Sequence, residues 1–175
     1  MTLLTSSNTL RLWQDMIKNA ENRCSVVLKK DLESYLISLL IRYLDKPEIL
    51  QQALALTFLE GQQQSSAKRS HSLQMVGDQC LLYVGLFPQN LQKKLLKISY
   101  FVQLGKTAYA SISTANNDLY SSLAMEFVVL MDVLQSIRHN PDLTPLEAYE
   151  QWNLVGSQRA LKLLKQFTNN IPLKT

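Results

Sequence analysis

Residues 68–87 read KRSHSLQMVGDQCLLYVGLF, and this stretch decides the fold. Beyond Met75 it is apolar almost all round, apart from one carboxylate, Asp78. A helix that is apolar on every side belongs at the centre of a bundle. Gly77 and Gly85 interrupt it, and glycine inside a helix costs up to about 1 kcal/mol relative to alanine. The two glycines lie on nearly the same side, which predicts that another backbone or a ligand comes close there. Asp78 shares that side. A buried carboxylate needs a donor. Arg69 falls on the opposite side of the helix, so Arg42, Arg138, Arg159 or a tyrosine hydroxyl is the expected partner.

Outward from this segment, apolar residues recur at helical spacing almost throughout. Upstream, Leu10, Trp13, Ile17 and Ala20 stripe a first helix. Leu32, Leu36, Leu39, Leu40 and Tyr43 stripe a second. Pro47 ends that one and can begin a third over 48–60, with Gly61 as its stop. Downstream of Pro88, the stripe Ile98, Phe101, Val102, Gly105, Tyr109 and Ile112 predicts a helix. A long helix striped from Leu119 to Ile137 follows. Thr144-Pro145-Leu146-Glu147 is a capping box with proline at the first helical position. Gly156 then separates two final helices, the second striped by Ala160, Leu163, Leu164 and Phe167. Nothing alternates with period two for long enough to require a strand. The expectation is an all-α, single-domain irregular or orthogonal bundle of seven to eight helices over 1–175, centred on the helices 68–87 and 116–138.

Composition narrows the function. The chain has 175 residues, 46% hydrophobic and 18% charged, with a net charge of +4. This is globular rather than disordered. Its two cysteines, Cys24 and Cys80, do not suggest a disulfide framework. The start lacks the basic and apolar regions of a signal peptide, and the apolar stretches are too short to span a membrane. A cytoplasmic protein without a membrane span is expected.

Chemical signatures are sparse. The two histidines, His71 and His139, have no metal-ligand spacing around them. There is no GxSxG serine and no glycine-rich phosphate loop. No cofactor, metal site or catalytic residue is therefore expected, and the reading leans against an enzyme. The candidate ligand-binding positions are Gly77, Asp78, Gly85, Tyr100, Gly105, Tyr109 and Trp152. For Asp78, a hydrogen-bonded strut outranks a pocket residue, because structural networks also bury carboxylates. Aromatic residues at helical spacing are more often core. Arg159, Lys162 and Lys165 recur on the outer face of the last helix, where a solvated face explains them.

Two stretches carry a family pattern. The first joins Arg69, Gly77-Asp78, Leu81, Gly85, Phe87-Pro88, Tyr100, Gly105 and Ala108-Tyr109. The second is Tyr149-Glu150-x-Trp152 with Gly156-Ser157. Together they resemble a family of small all-helical proteobacterial proteins with no assigned reaction, over about the last 110 residues. Ser99-Tyr100 stands where that pattern has paired tyrosines. The resemblance implies a bacterial cytosolic protein and supplies no catalytic residue. A non-enzymatic helical interaction module, docking a protein partner or assembling with itself, is the leading expectation. A small-molecule pocket around Asp78 is second. Nucleic-acid binding through Lys93, Lys94, Lys97 and the last helix is the least expected.

Overall fold

In the computed structural model, the described residues are 2–45, 58, 60, 63, 65–89, 97–114, 118–137 and 143–167. They form helices and connecting turns, with no strand among them. The helices are α1 (Thr2–Cys24), α2 (Lys30–Asp45), α3 (Ser66–Leu86), α4 (Ile98–Ile112), α5 (Asp118–Met125), α6 (Phe127–Gln135), α7 (Pro145–Val155) and α8 (Gln158–Phe167). The all-α architecture expected from periodicity is what the chain adopts. Most of the helix expected over 48–60, together with Gly61, Lys93, Lys94, Arg138 and His139, lies outside the described residues.

Helix α3 sits at the centre, as its all-round apolarity requires. It packs most extensively on α4 and then on α6. Leu73, Val76, Cys80, Leu81, Leu82 and Val84 of α3 are all buried. The expected α4 stripe is the buried face: Phe101, Val102, Gly105, Tyr109 and Ile112, joined by Ala108. Helices α1 and α2 form an antiparallel pair that adds Ile17, Ala20, Leu32, Leu36 and Leu40 to the same core.

The long helix expected over Leu119–Ile137 is instead two, α5 and α6, divided at Glu126. Glu126 departs from helical geometry, with φ −93° and ψ 13°. The hydrogen-bond ladder nevertheless continues through it: Glu126 N–H donates to the Ser122 carbonyl at 2.9 Å, and Leu130 N–H to the Glu126 carbonyl at 2.9 Å. The break is therefore a local bend that keeps the register, so the apolar stripe runs on uninterrupted. Periodicity alone does not see such a bend.

Helices α7 and α8 form a hairpin with a small core of its own: Leu143, Ala148, Trp152, Ala160 and Leu164. The capping box at its start is present in full. Thr144 Oγ1 accepts from Glu147 N–H, and Glu147 Oε2 accepts from Thr144 N–H. Gly156, at φ 77°, closes α7 in the left-handed conformation that glycine adopts without strain.

Candidate functional site

Four helices meet at Asp78. Helix α3 presents its carboxylate, 4% exposed, toward α2, α4 and α5. Tyr35 of α2 donates its hydroxyl to Asp78 Oδ1 at 2.5 Å, and Tyr109 of α4 donates to the same oxygen at 2.7 Å. Arg42, also of α2, pairs with Oδ2 at 3.3 Å. Gln74 Nε2 donates to the Tyr35 hydroxyl at 3.2 Å. Tyr35, Tyr109 and Tyr120 pack mutually, with ring centroids 6.2 to 6.4 Å apart. The Arg42 guanidinium lies 5.7 Å over the Tyr35 ring.

The expected donors are therefore Arg42 and a tyrosine hydroxyl, and there are two such hydroxyls. Tyr35 and Arg42 are seven residues apart, so they share one face of α2 and reach one target together.

Burial raises the Asp78 carboxyl above its ordinary range, against the opposing pull of Tyr35, Arg42 and Tyr109. Burial and the neighbouring carboxylate likewise raise both tyrosines, Tyr109 well above its ordinary value. The hydroxyls thus stay protonated donors at neutral pH. Both Asp78 oxygens are engaged.

The glycines serve the chain's own side chains. A Cβ at Gly77 would lie 2.5 Å from the Tyr109 ring. At Gly85 it would meet Leu134 at 2.6 Å, and at Gly105 the Phe127 ring at 2.5 Å. The sequence predicts another backbone or a ligand beside Gly77 and Gly85; the groups that approach are instead the side chains of Tyr109 and Leu134, from α4 and α6.

Of the seven candidate positions, the structure groups Gly77, Asp78 and Tyr109. Gly85 and Gly105 sit at other helix contacts. Tyr100 is exposed and stacks edgewise on Phe101. Trp152 belongs to the hairpin core and stacks on Tyr149. Among the described residues no group of His, Cys, Asp or Glu is arranged to hold a metal ion, and no helix is long and apolar enough to cross a membrane.

A second buried carboxylate, Asp132 of α6, was not singled out from sequence. Ser157 donates its hydroxyl to Asp132 Oδ1 at 2.5 Å, and Arg159 N–H donates to Oδ2 at 3.3 Å. Ser157 Oγ also accepts from Ala160 N–H at 3.1 Å, so Ser157 caps α8. Asp132 thereby holds the N-terminus of α8, where a negative charge is favoured. Arg159 Nη1 donates to Gln135 Oε1 at 2.7 Å, and Gln135 Nε2 donates to the Val84 carbonyl at 2.9 Å. This chain of bonds latches the hairpin to α6 and α3. The available signal was a carboxylate inside an apolar helix, the same one that marked Asp78.

Burial pushes the Asp132 carboxyl up to about 6, against the pull of Ser157 and the α8 backbone. Its folded pKa lies above the unfolded value of 3.8. The folded state therefore binds the proton more tightly, and stability falls as pH rises from about 4 to about 6. Roughly two pKa units at about 1.4 kcal/mol each make this about 3 kcal/mol. Urea melts of the wild type and Asp132→Asn at pH 4 and pH 7 test it. The wild type is expected to lose up to that amount relative to the variant between the two pH values. A pH-independent difference contradicts the burial argument.

Compared with known proteins, the chain matches no protein-family model, no curated protein and no solved structure.

Proposed function

We propose that this chain is a non-enzymatic helical interaction module that docks a protein partner or a second copy of itself. The observation that carries the reading is the closed state of the Asp78 site. Its carboxylate oxygens are taken by Tyr35, Tyr109 and Arg42, and Tyr109 itself fills the notch at Gly77. Groups that would serve a ligand are spent on internal contacts. The bacterial, cytoplasmic setting implied by the family resemblance belongs to the same proposal.

Apolar surface is instead presented on the outer side of α7. Leu146 is 67% exposed and Leu154 58%, on the side of the helix away from Ala148 and Trp152. Exposed leucines on one helix side suit a partner surface.

Native mass spectrometry of protein purified gently from its own cells tests this. A multiple of the chain mass, or a stoichiometric second polypeptide, is expected. The assembly should be lost in the Leu146→Glu/Leu154→Glu double variant. A monomer carrying a few hundred daltons of ligand would overturn the reading in favour of a pocket at Asp78. A bare monomer for both proteins would overturn it too.

A further inference from the structure

The buried apolar residues fall into two clusters. One runs through α1 to α6, and the other belongs to the α7–α8 hairpin. Helices α7 and α8 pack more extensively on each other than on the bundle, where α7 rests on α4 and α8 on α6. A unit with its own core and a small seam to its neighbour is free to move as a unit, unless the seam is large and apolar.

Among the described residues the seam is largely polar. Ser157 and the Arg159 N–H donate to Asp132, the Arg159 guanidinium to Gln135, and Lys162 to Ser25 Oγ. Such bonds exchange for bonds to water when a seam opens, so each holds it only modestly. Val155 packs against the main core and adds an apolar contact.

Gln151 makes the seam costly. It is 3% exposed, yet neither its Nε2 nor its Oε1 meets a hydrogen-bond partner. It stands four residues before Val155, so the two share one side of α7. That side meets the bundle, whereas Ala148 and Trp152 belong to the hairpin core. A buried amide without partners has given up its hydration and gained no bond in return. Parting the hairpin from the bundle returns both atoms to water.

We propose that the α7–α8 hairpin is a movable arm. It leaves the bundle as one unit with its own core intact, and the orphaned Gln151 amide keeps its closed position weak. Opening uncovers Asp132, Gln135 and the side of α4 beneath α7, while Leu146 and Leu154 travel with the arm. The inference does not depend on whether those leucines dock a partner.

The test is native-state hydrogen exchange of the full chain, followed amide by amide by NMR at low guanidinium concentrations. The amides of α7 and α8 are expected to share one opening, with one free energy and one denaturant slope. Both values should lie below those of the α3 amides, which exchange on global unfolding. Gln151→Leu should slow exchange in both helices together, on the order of tenfold, because the closed arm no longer buries an unpaired amide. Gln151→Met, whose flexible unbranched side chain fills irregular space, should do the same if leucine fits poorly. Ile17→Val thins the main core at a fully buried position. It should speed exchange in α3 by roughly two- to tenfold and leave α7 and α8 unchanged.

Different opening free energies for α7 and α8 overturn the proposal, because the helices then fray separately. Equal acceleration of α3, α7 and α8 in Ile17→Val overturns it too, since the hairpin then comes away only when the bundle unfolds. So does unchanged or faster exchange in both Gln151 variants, which would show that the amide does not weaken the closed position.

Discussion

Asp78→Ala is expected to lower the melting temperature by about 6–20 °C. The substitution leaves the Tyr35 and Tyr109 hydroxyls without the acceptor they share. An orphaned buried polar group costs about 1–3 kcal/mol, and two of them with the small void come to about 3–5 kcal/mol. For a chain of this length each kcal/mol shifts the midpoint by about 2–4 °C. Arg42 adds little to the loss, since its side chain is 43% exposed and water replaces its partner. Asp78→Asn separates the strut from simple side-chain loss. It retains one carbonyl oxygen able to accept both hydroxyls, so its midpoint should fall by less than half as much. Thermal melts followed by circular dichroism read both. A midpoint for Asp78→Ala within 2 °C of wild type would show that the hydroxyls find other acceptors and that the site is not a strut.

The second large effect reverses a general rule. Within a helix, glycine to alanine ordinarily stabilises by up to about 1 kcal/mol. At Gly77 and Gly105 it should destabilise by about 1–3 kcal/mol, as overpacking does. The new methyl at Gly77 would meet three atoms of the Tyr109 ring at 2.5 to 2.8 Å. That ring cannot retreat freely, because its hydroxyl is held by Asp78. At Gly105 the methyl would meet the Phe127 ring at 2.5 and 2.6 Å and the Cys80 Cβ at 2.9 Å. Denaturant melts of Gly77→Ala, Gly105→Ala and Gly105→Ala/Phe127→Leu test the contact itself. The smaller leucine should recover part of the Gly105→Ala loss, a coupling that appears only between touching residues. Stabilisation by either single variant would mean that the notches are looser than the geometry shows.

The two sites also differ in how pH reaches them. Asp78 is held by neutral hydroxyls and a guanidinium, whereas Asp132 is held by a hydroxyl and a helix N-terminus. Burial outweighs those partners in both cases, so both carboxyls are raised. The hairpin α7–α8 has its own small core, and polar bonds through Asp132, Gln135, Arg159 and Lys162 attach it to the main bundle. Hydrogen exchange in α7 and α8 is therefore where the Asp132→Asn variant should first differ from wild type.

Local chemistry was legible in the residues. The capping box at Thr144, the left-handed stop at Gly156 and the stripe of α4 each depend on neighbours within a turn or two of helix, so spacing sufficed to find them. The demand of Asp78 for a donor was legible too, because burying a carboxylate is costly wherever it occurs. The choice of donor was not. Tyr35 and Arg42 are 43 and 36 residues from Asp78, and only the tertiary structure, in which α2 packs on α1 and α5, brings them within reach of Asp78. The same holds for Asp132 at the start of α8 and for the rings that fill Gly77 and Gly105. The all-α class and the central position of α3 followed from the sequence by itself, since helical period and all-round apolarity are properties of consecutive residues. Which side chains meet was decided only by the tertiary structure, because the apolar faces that drive packing carry no label for their partners.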